Sequence, residues 1–173
     1  MNDDPANDTS RFRIFRAKDA PGLIEAGCMS IEPFSETQLA GMGQVVAAGF
    51  LDGEEIKVLV DVPGFSLTHV WFKAGYPLPL HSHDADCLYY IIAGTIRMGT
   101  EELGPRDSFF IPADVPYTYR PGPEGVEVLE FRHKTHFNFV NLAKGAAFWE
   151  RAAEQAEAMR ETWANAVPPT QIA

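Results

Sequence analysis

The sequence predicts a predominantly β protein, an all-β sandwich or barrel followed by one C-terminal α-helix. Three observations lead there. Between residues 56 and 132 at least six short β-branched or aromatic runs follow one another with turn residues between them. The 14 glycines and 13 prolines are scattered without a period, as many turns require. From about residue 146 to 165 the apolar residues switch to steps of three and four. A chain of 173 residues with 46% hydrophobic and 22% charged residues has enough apolar material for one domain with a sizeable core.

In chain order, residues 1–20 read as a polar lead-in, frayed at its start. Residues 21–55, punctuated by Gly41-Met42-Gly43 and Gly49, show no clean period. Extra strands, a lid and a partner surface all stay open for them. The first strand is Ile56–Val60, closed by Asp61 and the Pro63-Gly64 turn signal, and the second is Leu67–Lys73, closed by Gly75. Cys87–Ala93 ends at Gly94, and Thr95–Met98 ends at Gly99. Ser108–Ile111 and Tyr117–Tyr119 are split by Pro112 and Pro116, and Val126–Arg132 follows a Pro121-Gly122-Pro123 turn. In the tail, Phe148, Trp149, Ala152, Ala156, Met159 and Trp163 make one apolar stripe, with Glu150, Arg151, Glu154, Glu157 and Glu161 mostly off it, and Pro168-Pro169 ends the helix. That stripe either docks on the barrel or forms a dimer contact. The resulting division is a lead-in (1–20), a barrel (21–140), and a helix with its tail (141–173).

A net charge of −10, with no run of basic residues, argues against a nucleic-acid partner and against an acidic membrane surface. No apolar stretch approaches the ~20 residues that span a bilayer. The start, MNDDPANDTSRFRIF, lacks the basic and apolar segments of a signal peptide, and two cysteines are too few for a disulfide framework. A reducing cytoplasmic location is the expectation.

Chemistry concentrates in residues 75–94, GYPLPLHSHDADCLYYIIAG. His81 and His83, two apart, share a face if extended, and two imidazoles on one face can reach a common metal ion. Cys87 is either a thiolate ligand on that face or a small core residue, with Tyr89, Ile91 and Ala93 continuing the face. Asp84 and Asp86 are spare carboxylates: partners for a histidine N–H, substitute ligands, or solvated loop charges, the last favoured for Asp84. His133 shares a face with Leu129 and Phe131, lining the barrel or ending in solvent, and His136 lies beyond it. His69 shares a face with Trp71, in core or pocket. Trp71, Tyr89, Tyr117 and Tyr119 fall on faces that can point inward around a small ligand or simply pack.

The stretch from about 56 to 133 resembles the cupins, and within them small single-domain bacterial proteins. Gly75, His81, His83 and Gly94 keep the spacing of the first cupin motif, with Cys87 where that motif has glutamate. Pro112 matches the proline of the second motif, while Arg106 and Asp114 stand at its glycines, Tyr117 at its histidine and Pro121 at its asparagine. The resemblance implies a double-stranded β-helix holding one divalent transition metal on His81, His83, Cys87 and Tyr117, a set softer than three histidines and a glutamate. Iron is then favoured over zinc, copper, nickel or manganese. A rival reading is a site decayed to two histidines that no longer holds metal firmly. The implied function is an iron-type dioxygenase acting on a small organic substrate. The alternatives are a non-catalytic ligand- or metal-binding cupin, or a lyase or isomerase with Tyr117 as its catalytic acid or base. Family habit and the helical stripe point to a homodimer.

Overall fold

The computed structural model describes residues 11–172 and places their chain in two sheets and three α-helices. In order these are α1 (Leu23–Ala26), β1 (Met29–Ile31), α2 (Glu36–Ala47), β2 (Glu54–Val62), β3 (Phe65–Phe72), β4 (His81–Ser82), β5 (Cys87–Met98), β6 (Glu101–Leu103), β7 (Ser108–Ile111), β8 (Arg120–Arg132), β9 (Phe137–Asn141) and α3 (Ala146–Ala164). The larger sheet runs β2-β3-β8-β5-β6, with β7 also on β5, and the smaller runs β1-β9-β4. Its own pairings are antiparallel except β1 on β9, which is parallel. This is the expected jelly-roll architecture with its C-terminal helix.

Alternation puts one face of each long strand into the core. Val70 and Phe72 of β3, Cys87, Tyr89 and Ile91 of β5, and Val126 and Val128 of β8 meet there, each no more than 5% exposed. The expected stripe of α3 supplies Trp149, Ala152, Ala156 and Trp163, all buried. Burial of each indole is matched by a bond for its N–H: Trp149 Nε1 donates to Ala143 O and Trp163 Nε1 to Ala74 O, both at 2.9 Å. Truncating either tryptophan to alanine costs about 3–5 kcal/mol. The stripe is therefore covered within the chain, by α2 and by the barrel, and the dimer-contact reading of that stripe is corrected. None of the described helices is long and apolar enough to cross a membrane.

Residues 21–55 supply α1, α2 and β1. A Ser35–Gln38 capping box starts α2 at a point that periodicity does not reveal. Of the lead-in, residues 1–10 lie outside the described residues, and Ala17–Asp19 forms a 3-10 turn. Three further expectations change. Gly94 does not end a strand: Cys87–Ala93 and Thr95–Met98 are one strand, β5, whose pairing with β8 shifts register around Gly94. Pro121-Gly122-Pro123 is not a turn but the start of β8, which pairs with β5 across a register shift between Gly94 and Ile96, the kind of irregularity that tolerates proline. Tyr117–Tyr119 is not a strand: Tyr117 makes a single bridge to His81. The strands β6 and β9 escaped sequence reading.

Candidate active site

His81 enters the site from β4, the edge of the smaller sheet, and His83 from the residue just beyond that strand, and both are buried. Their ring centroids lie 5.0 Å apart. His81 Nδ1 is bonded to Pro79 O at 2.7 Å and His83 Nδ1 to Asn138 O at 2.5 Å, so each Nδ1 carries the proton. No described residue bonds either Nε2. Burial lowers both pKa values to about 4, with His83 adding to the effect on His81 and Arg132 to that on His83, so both rings are neutral at pH 7. Phe139 stacks on His81 at 5.1 Å and Phe137 stands edge-on to His83 at 5.3 Å.

The second wall is the turn after β7. Tyr117 N donates to His81 O at 2.9 Å and His81 N to Tyr117 O at 3.1 Å, while Asp114 N donates to His83 O at 2.7 Å. These bonds hold the Tyr117 ring 4.3 Å from that of His81. Its hydroxyl is paired with the hydroxyl of Tyr89. Burial, with the Glu130 carboxylate beside it, pushes the Tyr117 phenol above its usual value. The turns on either side of β7 explain the altered second motif. Arg106 and Asp114, which occupy the glycine positions, have φ of 79° and 63°, and they are the only non-glycine residues at positive φ among those described.

The other sequence candidates separate from the histidine pair. Cys87 is 2% exposed in the main core, its thiol pushed up to about 12 by burial and by Glu130. Among the described residues no three His, Cys, Asp or Glu side chains are grouped to hold an ion. The two imidazoles thus fit two positions of a metal's coordination shell, and Tyr117 stands next to them as a neutral phenol. Neither Asp84 nor Asp86 partners a histidine N–H, a correction, because backbone carbonyls take that place. Asp84 Oδ1 accepts from Asn138 N at 2.8 Å and its Oδ2 pairs with Lys134, which lowers its pKa and fixes the segment whose carbonyl holds His83. Asp86 Oδ1 accepts from Ala113 N at 2.8 Å and fixes the Tyr117 turn. His133 is exposed rather than lining the barrel, and His136 is exposed as well. His69 and Trp71 do share a face, but it is the outer one: His69 meets Glu127 at 3.2 Å, and Thr170 N from the C-terminal turn caps the same carboxylate at 2.7 Å. Tyr89 and Tyr119 do point inward.

Sequence reasoning missed Glu130 and Arg132. They continue the inward face of Val126 and Val128 on β8, and Arg132 Nη2 bonds Glu130 Oε2 at 2.7 Å. Glu130 lies opposite Tyr89 in register. The signal was present in the β-branched pair two and four residues earlier, but a charged inward pair contradicts the usual alternation.

Two solved structures span this architecture almost end to end. The polyketide cyclase RemF from Streptomyces resistomycificus superposes with a TM-score of 0.57 at 18% identity, over 86% of this chain and 97% of that one. A protein of unknown function with a cupin-like fold from Ralstonia eutropha JMP134 superposes with a TM-score of 0.50 at 18% identity, over 88% and 89% of the two chains. The chain is a cupin by fold. No protein-family profile and no curated protein sequence matches it. At these identities the likeness carries the cupin architecture alone, and the chemistry has to be argued from the side chains.

Proposed function

We propose that this cupin holds one divalent transition metal on His81 and His83 and acts on a small organic molecule, with iron the first choice of metal and dioxygenation the first reaction class. One observation carries the reading: two neutral imidazoles 5.0 Å apart, each with Nδ1 committed to a backbone carbonyl and Nε2 open. That is the tautomer and the protonation state a divalent ion requires, and the carbonyl bonds fix the ring orientations. A metal bound there supplies Lewis acidity and, for iron, the means to activate dioxygen. Phe137 and Phe139 pack against the rings and hold their orientation. Tyr117 keeps its proton and presents it beside His81, with Tyr89 as the hydrogen-bond partner that orients it.

That hydroxyl pair favours a second reading, a lyase or isomerase in which Tyr117 donates a proton to the substrate and no oxygen is consumed. The deciding experiment is metal analysis followed by oxygen uptake. About one equivalent of metal per chain is expected, lost in H81A with the fold intact by circular dichroism. A chain that stays metal-free after reconstitution with iron(II), zinc, nickel and manganese would overturn the proposal. Oxygen consumption with a panel of small phenols, diketones and thiols separates the first reading from the second.

A further inference from the structure

Arg132 is only 2% exposed, yet most of its hydrogen-bonding capacity is unspent. Nη2 bonds Glu130 at 2.7 Å, while Nε and Nη1 are buried with no partner among the described residues. Those two nitrogens carry three of the five guanidinium N–H groups. The ring of Phe137 lies 4.1 Å from the guanidinium and offers its face, which satisfies charge but no N–H. A buried ion pair that serves structure alone recovers its desolvation cost by bonding the remaining protons, and this pair leaves them open.

The place of these donors is as informative as their number. Phe137 borders both the Arg132 guanidinium and, at 5.3 Å, the His83 ring. Glu130 lies opposite Tyr89, Tyr89 bonds Tyr117, and Tyr117 bridges to His81. A polar row thus leads from Arg132 to the histidines.

We propose that Arg132 anchors the carboxylate of the barrel's small-molecule ligand, which makes the substrate of the proposed metal site an organic acid. The inference rests on that site for the word substrate, while the binding itself needs no metal. A planar monoanion matches the guanidinium edge, and Glu130 already neutralises one charge's worth, so a dianion such as phosphate is the poorer fit.

Isothermal titration of the metal-free protein with monocarboxylates from acetate to benzoate, at constant ionic strength, tests this. At least one acid binds, and its amide, benzamide for benzoate, binds at least about tenfold more weakly. R132Q abolishes the binding, and H81A retains it, so loss of the metal reading leaves the anchor standing. E130Q leaves Arg132 in place and removes the competing carboxylate, so it binds the acid several-fold more tightly even where R132Q fails to fold. Absence of binding by every acid, equal binding of acid and amide, or an affinity unmoved in E130Q overturns the anchor.

Discussion

Replacing Tyr117 by phenylalanine removes one member of the hydroxyl pair and almost nothing else. The ring stays 4.3 Å from His81, and the backbone bridge to His81 is untouched. What changes is Tyr89, which is 0% exposed and loses the partner of its hydroxyl. A buried donor left without a partner costs about 1–3 kcal/mol, whereas removing both partners of a bond is nearly neutral. Y117F and Y89F are therefore each expected to lose about 1–3 kcal/mol, and the double variant Y89F/Y117F to be no less stable than either, a coupling of at least about 1–3 kcal/mol. For a chain of this size each kcal/mol moves Tm by about 2–4 °C. Urea unfolding followed by tryptophan fluorescence, with m-values checked for constancy, reads all four proteins. Additive losses in the double variant would refute the pairing. Metal content in Y117F adds a second reading: it holds if the imidazoles carry the ion and falls if the phenolate is a ligand.

Two further expectations concern stability. Burial raises the Glu54 carboxyl above 4.5, against the lowering effect of the Tyr76 hydroxyl that donates to it at 2.8 Å. The folded chain holds that proton more tightly than the unfolded one, so Glu54's contribution is full below 4.5 and is lost as pH rises through the raised folded value. E54Q should flatten that fall, and a stability–pH curve identical to the parent's would contradict it. On the backbone, Gly94 has φ of 74°, and a Cβ there would stand 2.1 Å from Gly125 O, so G94A should lose at least about 2 kcal/mol. R106G, which returns glycine to a left-handed position, should by contrast be neutral or gain up to about 1 kcal/mol in thermal unfolding.

The parts of the molecule that sequence disclosed were those governed by local rules. The α3 stripe is a 3.6-residue period, and its tryptophans are buried where the period puts them. The His81–Ser82–His83 spacing is a two-residue period, and the rings do converge. What stayed hidden depends on contacts far apart in the chain. The helix α2 is only weakly amphipathic, and Gly41 inside it reads as a breaker until Trp149 is seen packed against it so closely that a Cβ would sit 2.2 Å from the indole. Reading Pro121-Gly122-Pro123 as a turn left the first half of β8 out of the sheet. The apolar side chains of its second half suggest the phase Leu129, Phe131 and His133, whereas the inward face is Val126, Val128, Glu130 and Arg132. Apolar residues ordinarily mark the inside of a strand, and here two charges do. The carbonyls that hold the histidine tautomers, at Pro79 and Asn138, are backbone atoms without a residue signature.

Gln38 joins the least legible stretch of the chain, residues 21–55, to its chemistry. Its Oε1 accepts from Ser35 N at 2.9 Å to cap α2, and its Nε2 reaches Asn141 O at 2.8 Å, on the residue that pairs with His81. One amide thus couples the start of a helix to the strand that aligns an imidazole. Losing that amide alone, as in Q38A, would take this outer brace from the histidine strand while leaving α2 packed on Trp149. That variant should keep its secondary structure yet hold the proposed ion more loosely than the parent chain.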